Sequence, residues 1–199
     1  MGIVNTTPDS FSDGGRFLAA EAGIAHALHL LDQGADWLDV GGESTRPGAE
    51  PVGADEEARR VVPVIRGVLE RAPHAVISVD TRKAAVAEQA LQAGATIVND
   101  VSALADPAMG PLVARTGAGV VLMHMRGEPR TMQANTVYGD VVEDVRQALA
   151  ERCDAARALG IDPRRILVDP GVGFGKGFAD NARLIQQVPR FASLGFPVL

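Results

Sequence analysis

One pattern recurs along this chain of 199 residues: an apolar run ends at a polar or acidic residue, and a polar loop and a helix-spaced segment follow it. Six complete copies have apolar runs at residues 1–4, 35–40, 75–79, 96–98, 119–123 and 166–168, and residues 197–199 begin a seventh. Apolar strands that alternate with amphipathic helices are typical of a parallel sheet covered on both faces. The repeat therefore predicts an α/β fold, and more specifically a (β/α)8 TIM-type barrel.

The length predicts that this barrel is incomplete. A complete barrel of this kind needs about 250 residues, so we expect one barrel domain over residues 1–199, with about six β-α units plus the start of a seventh, truncated at its C-terminal end. The alternative is an open, doubly wound sheet. That fold is disfavoured for two reasons. No Gly-x-Gly-x-x-Gly follows the first run, and polar residues end nearly every run, whereas in an open sheet they would cluster at the one point where the strand order reverses.

Charge and cysteine content restrict the partners and the compartment. With 25 acidic and 19 basic residues the net charge is −6, which argues against a basic surface for nucleic acid or membranes. Asn5 and Asp9 interrupt any apolar leader or membrane span at the start of the sequence. The single cysteine, Cys153, lies in a helix-spaced apolar stripe and is expected to pack, so we expect a cytoplasmic protein.

The polar residues that close the runs predict the functional site, because barrel enzymes carry their active sites at the carboxyl ends of the strands. They are Asn5, Asp39, Asp80, Asn99, Asp100, His124 and Asp169. For any single one of them a hydrogen bond to its own loop is the commoner role. Convergence of so many polar side chains favours a binding site.

The residue types in this set suggest a chemistry. The oxygens of Asp80, Asn99 and Asp169 can accept hydrogen bonds from ring N–H and amino groups, which suits a flat heterocycle with an amino-pyrimidinone edge. Asn5 and the polar loop after it can hold Mg²⁺, whose other ligands would be water and substrate phosphate oxygens. The hydroxyl-rich loops after the first two runs can close over a second substrate.

Other catalytic signatures are missing from the sequence. It contains no Gly-x-Ser-x-Gly, no His-Glu-x-x-His and no Gly-x-x-x-x-Gly-Lys-Ser/Thr. Residues 171–176 resemble a phosphate-binding loop but lack the final Ser or Thr, so nucleotide binding is disfavoured. His124 could face the site, although holding its own loop is at least as common a role as proton transfer.

Six segments, in order, resemble the dihydropteroate synthase family of pterin-binding barrels. The two longest are NTTPDSFSDGG at residues 5–15 and DVGGESTRPG at residues 39–48, and shorter ones lie at residues 78–81, 98–102, 123–125 and 169–176. Thr6 and Val172 stand where the family usually has valine and phenylalanine. The family's lead-in before the first strand and its segments after the seventh and eighth strands are not in these 199 residues.

The resemblance implies a transferase that condenses 6-hydroxymethyl-7,8-dihydropterin diphosphate with 4-aminobenzoate, giving 7,8-dihydropteroate and diphosphate in folate biosynthesis. It also implies Mg²⁺ as the cofactor, sulfonamides as imitators of aminobenzoate, and a homodimer for the complete enzyme. Two alternatives stay open, a non-catalytic pterin-binding fragment and a methyltetrahydrofolate-binding methyltransferase barrel. The second is disfavoured because a methyl donor has no diphosphate for the loops at 5–15 and 39–48 to hold.

The resemblance also assigns roles, position by position. Asp80 and Asp169 would be the catalytic carboxylates, and together with Asn99 they would hold the pterin edge. The other implied contacts are Asn5 with Mg²⁺, Thr45 with the diphosphate, Met123 with the pterin ring, Phe11, Pro47 and Phe174 with aminobenzoate, and Arg46 as a further loop contact.

Overall fold

The computed structural model describes residues 1–6, 15–45, 49–128, 130–134 and 136–199, with the backbone alone at residues 15–18. The strands in these ranges are β1 (Gly2–Asn5), β2 (Trp37–Gly41), β3 (Val76–Asp80), β4 (Ile97–Asp100), β5 (Gly119–Met123) and β6 (Ile166–Asp169). The α-helices are α1 (Gly15–Asp32), α2 (Ala54–Arg71), α3 (Ala84–Gln92), α4 (Met109–Thr116), α5 (Val141–Ala158), α6 (Phe178–Gln186) and α7 (Val188–Ala192). The predicted alternation of strands and helices is confirmed.

The chain divides into two compact units, residues 1–44 with 51–99 and residues 45–50 with 100–199. In the first unit β1, β2, β3 and β4 pair in parallel, each with the next. The fully buried strand residues are Leu38, Val40, Ile77 and Val79. Val64 and the other apolar residues on the inner face of α2 are buried as well. Because β2 is buried on both faces, its run of apolar residues is nearly continuous. The expectation of one domain over residues 1–199 stays a prediction.

In the second unit β5 and β6 pair in parallel, and α5 packs against β5. All five residues of β5 are buried. The apolar stripe of α5 is buried as well, which confirms the packing role expected for Cys153. The seventh run also lies where the repeat predicts it, since Val198 bridges Val168 in parallel and Leu199 donates its N–H to the Val168 carbonyl at 3.0 Å.

One local expectation differs from the structure. β2 continues to Gly41, so Asp39 lies inside the strand and not at its end. α2 is one helix of 18 residues that contains Pro63, and the proline removes one backbone donor from it. α4 begins at Met109, after a turn in which the Asp106 carboxylate accepts from the Ala108 N–H at 2.9 Å. Within the described ranges, no helix combines the length and apolar character needed to cross a bilayer.

Candidate functional site

Two strands of the first unit, β1 and β3, end in residues that the sequence analysis singled out. Asn5 ends β1 and is exposed, and Asp80 ends β3 and is half-buried. In register, Asn5 lies opposite Gly41, Gly41 opposite Asp80, and Asp80 opposite Asn99. A side chain at Gly41 would lie 3.4 Å from the Asp80 carboxylate, so glycine keeps the space beside that carboxylate open.

Behind these strand ends lies a buried polar cluster that sequence reasoning did not identify, formed by Asp39, Ser78 and Asn99. Ser78 donates its hydroxyl to Asp39 Oδ1, and Asn99 Nδ2 donates to Asp39 Oδ2 at 3.0 Å. Burial raises the pKa of Asp39, and the two hydrogen bonds counteract part of that effect. The sequence does contain a signal for this cluster, because Asp39 and Ser78 are polar residues inside apolar runs and lie opposite each other when the two strands pair.

The loop after β2, which leads to Thr45, is fixed at its start by Glu43. The Glu43 carboxylate accepts from the Val52 N–H at 2.9 Å, from Lys83 Nζ at 2.6 Å and from Arg82 Nε at 3.2 Å. These contacts, Lys83 first among them, hold the pKa of Glu43 below its usual range even though burial acts in the opposite direction. The loop is therefore tied at both ends to the first unit. Thr45 itself is half-buried.

In the second unit, β5 and β6 end side by side in register at Met123 and Asp169. Met123 is buried, whereas Asp169 is half-buried. The Asp169 carboxylate accepts from the Gly171 N–H at 2.7 Å, and the Asp169 carbonyl accepts from the His124 N–H at 2.8 Å. Burial raises the pKa of Asp169. The carboxylate is thus held in one place by the turn that follows its own strand.

Lys176 links the two loops that follow β5 and β6. Its ammonium is buried and donates to the carbonyls of His124, Gly171 and Phe174 at 3.0, 2.9 and 2.8 Å. Burial lowers the pKa of Lys176 to about 8. Residues 171–176 resemble a phosphate-binding loop in sequence, but the Lys176 ammonium donates its hydrogen bonds to backbone carbonyls. Lys176 thereby fixes the loop that carries the half-buried Phe174.

His124 and Tyr138 form the rest of this loop packing. The Arg126 guanidinium lies 3.8 Å from the centre of the Tyr138 ring, and Tyr138 donates its hydroxyl to the Gly175 carbonyl at 3.0 Å. Burial, with a smaller contribution from Lys176, lowers the pKa of His124 to about 4, so the ring is neutral at pH 7. Its Nδ1 is buried without a hydrogen-bond partner among the described residues.

Several predicted contacts fall outside the described residues, namely Phe11, Arg46 and Pro47. A resident divalent cation was also predicted. In the part of the chain that the structure describes, no three His, Cys, Asp or Glu side chains group into a metal site. Asn5 is exposed and carries one amide oxygen. Mg²⁺ takes such an oxygen as a ligand when water and phosphate oxygens supply the other ligands.

Comparison with known proteins gives consistent results over the whole chain. The family described as "Pterin binding enzyme" matches residues 1–199. A dihydropteroate synthase of Synechocystis is 47% identical, with all of this chain and 69% of the relative covered. The structure of a Xanthomonas albilineans dihydropteroate synthase with 4-aminobenzoic acid is 51% identical in sequence, with a TM-score of 0.92. The structure of the Xanthomonas albilineans enzyme in complex with 7,8-dihydropteroate is 47% identical, with a TM-score of 0.88. Both comparisons cover all of this chain and 70% of the enzyme.

These likenesses confirm the predicted barrel class. The six parallel strands and their helices match those enzymes over the full length of this chain, which spans about 70% of theirs. The predicted incompleteness of the barrel agrees with that coverage.

Proposed function

Because this chain belongs to the dihydropteroate synthase family, we propose that it condenses 6-hydroxymethyl-7,8-dihydropterin diphosphate with 4-aminobenzoate, giving 7,8-dihydropteroate and diphosphate for folate biosynthesis. One observation carries the proposal: the likeness, over every residue of this chain, to enzymes with aminobenzoate or 7,8-dihydropteroate bound. The activity is that of a transferase of a pterinylmethyl group. Sulfonamides, which imitate aminobenzoate, are expected to compete with it.

The pterin is held by acceptors at strand ends in this proposal. Asp80 and Asn99 lie opposite each other in register, and the Asp169 carboxylate is fixed by the Gly171 N–H, so all three acceptors belong to rigid strands. An amino-pyrimidinone edge offers N–H donors that pair with such oxygens. Met123, buried beside Asp169 in register, supplies an apolar contact for the ring.

The diphosphate and the second substrate are assigned to the loops. Thr45 would donate to the diphosphate, and Asn5 would hold Mg²⁺ through its amide oxygen. Held there, the cation would supply positive charge next to the diphosphate. Phe174, presented by the loop that Lys176 fixes, would pack against aminobenzoate together with Phe11 and Pro47, and Arg46 would be a further loop contact.

The reaction follows from these placements. The bond between the pterin methylene carbon and the diphosphate oxygen breaks, and its electron pair stays on the diphosphate. The carboxylates of Asp80 and Asp169 stabilise the positive charge that develops on the pterin. The aminobenzoate nitrogen then forms the new C–N bond with its lone pair and releases a proton to water.

Some wider expectations stay predictions. The complete enzyme is expected to form a homodimer, to work in the cytoplasm, and to bind small-molecule substrates but neither nucleic acid nor membranes. The net charge of −6 supports the last of these.

The test is calorimetric titration of the purified 199-residue chain with pterin diphosphate and Mg²⁺, followed by addition of aminobenzoate and measurement of diphosphate release. We expect binding and release. Asp80→Ala and Asp169→Ala are each expected to lower kcat/KM by about 100-fold or more. Asp154→Ala is the matched control, because its side chain is 75% exposed on α5 and pairs only with a residue of the same helix, Arg157, among the contacts described.

The outcomes separate the alternatives. Binding without release would favour the pterin-binding fragment over the enzyme. Unchanged kcat/KM in both aspartate variants would overturn the assigned roles.

A further inference from the structure

One buried acceptor atom in the first unit has no hydrogen-bond partner in the part of the chain that the structure describes. Asn99 is 9% exposed, and its Oδ1 is buried without a hydrogen bond among the described residues. A buried acceptor left unpaired in a native fold costs free energy and points to a ligand that completes it. The other end of the same amide is well satisfied, since Nδ2 donates to Asp39 Oδ2 at 3.0 Å.

The environment of Asp39 explains why the amide takes this orientation. Asp39 Oδ1 accepts from the Ser78 hydroxyl, which is itself fully buried, and Oδ2 accepts from Asn99. With both oxygens accepting, the carboxylate offers no donor to Asn99. Turning the amide by half a revolution would bring Asn99 Oδ1 against Asp39 Oδ2, two acceptors in contact, so Nδ2 is held inward and Oδ1 is left for a ligand.

We propose that Asp39 is a positioning residue, which fixes the Asn99 amide so that Oδ1 accepts a hydrogen bond from an N–H of the pterin. This rests on the proposed function. Asp39 does not touch the substrate in this arrangement; it acts through Asn99, and Ser78 holds Asp39 in turn. The consequence is specificity: a heterocycle with an N–H at that place is bound, and an analogue with an unprotonated ring nitrogen there meets an acceptor and is rejected.

The test exchanges donors and acceptors within the cluster. Asp39→Asn gives residue 39 an N–H₂ group that needs an acceptor, so the Asn99 amide turns and presents Nδ2 to the ligand. We expect the Kd for pterin diphosphate to rise by about 10- to 100-fold. In the double variant Asp39→Asn/Asn99→Asp, residue 39 donates inward to residue 99 and a carboxylate oxygen again faces the ligand. We expect its Kd to return to within about threefold of the unmodified chain.

Controls distinguish positioning from a general loss of stability. Val86→Ala trims a fully buried core residue of α3 and is expected to lower the melting temperature without changing the Kd by more than about twofold. Ser78→Ala removes one of the two donors to Asp39 and is expected to raise the Kd by about three- to tenfold. If Asp39→Asn alone does not fold, the double exchange and Ser78→Ala carry the test.

Two results would overturn the proposal: a folded Asp39→Asn or Ser78→Ala variant that binds pterin diphosphate as tightly as the unmodified chain, or a folded double variant without recovered affinity. Both require that the unmodified chain binds pterin diphosphate. Failure of that first measurement would count against the proposed function itself, so the two proposals fail in distinguishable ways.

Discussion

Lys83 Nζ lies 2.6 Å from a carboxylate oxygen of Glu43, and the same ammonium also contacts the carboxylate of Glu57. Lys83, at the start of α3, thus forms ion pairs with two carboxylates, that of Glu43 in the loop after β2 and that of Glu57 on α2. Glu57 is 1% exposed, so its carboxylate is removed from water and Lys83 is the cation that it contacts. The loop that carries Thr45 is anchored through this network of charged side chains.

Removing that cation is expected to destabilise the first unit. Lys83→Met keeps the length of the side chain but leaves the Glu57 carboxylate buried without a counter-charge, which costs about 3 kcal/mol in the free energy of unfolding. Urea denaturation measures the change. The exposed pair of Arg59 and Glu56 is the control, since Arg59→Met is expected to cost less than about 0.5 kcal/mol. A loss of under about 1 kcal/mol for Lys83→Met would contradict the network's role.

Two glycines in the loop after β6 provide a matched pair. Gly171 and Gly173 have φ of 67° and 89°, so alanine is strained at both. A Cβ at Gly171 would lie 2.0 Å from the His124 carbonyl oxygen, whereas nothing lies within 4 Å of one at Gly173. We expect Gly173→Ala to cost about 1 kcal/mol and Gly171→Ala at least about 3 kcal/mol, with weaker aminobenzoate binding in the second variant. Equal costs in thermal denaturation would show that the close approach to His124 is unimportant.

His124 makes stability depend on pH. The folded pKa of about 4 lies below the ordinary 6.5, so between these values the unfolded chain binds more protons than the folded one. The free energy of unfolding therefore falls as the pH falls through this window, by about 1–2 kcal/mol from this group at pH 5. Urea denaturation at pH 7 and pH 5 should show a smaller difference for His124→Gln. The exposed His26 on α1 is the control position, since His26→Gln leaves the buried ring in place.

Cys153 is expected to be inert in the folded protein. It is 1% exposed, and burial raises the pKa of its thiol to about 11. A disulfide reagent at pH 8 should react with it only after urea is added. Cys153→Ala should cost about 1–2 kcal/mol through the cavity it leaves, with no change in catalysis. Rapid modification of the native chain, or loss of activity in the alanine variant, would contradict a packing role.

The sequence predicts the framework well because its signals are local. Each apolar run marks a strand, and Met123 and Asp169 are found at the ends of theirs. The hydrophobic pattern does not tell where pairing stops, which is why Asp39 was expected at a strand end and lies inside β2. Its partners Ser78 and Asn99 are distant in sequence, and only the register of three strands brings them together.

The loops are less predictable for a similar reason. The run at residues 171–176 resembles a phosphate-binding loop only in sequence. The three carbonyl acceptors of Lys176 come from two loops and depend on how those loops pack, which the sequence does not reveal. The assignments of Phe11, Arg46 and Pro47 rest on the sequence motifs alone and stay predictions. The roles of Asp80 and Asn99 in binding also await the measurements proposed above.

The order of pairing in the first unit has a consequence for synthesis. β1, β2 and β3 each pair with the strand that follows next in the chain, so none of these three strands waits for a distant partner to be translated. At about 5–20 residues per second on the ribosome, each β-α-β segment has time to form before the next one emerges. The newest strand, however, always presents an unpaired edge until its successor arrives. The growing chain is therefore most exposed to misassociation at its latest strand, and slowing translation between strands would prolong that exposure.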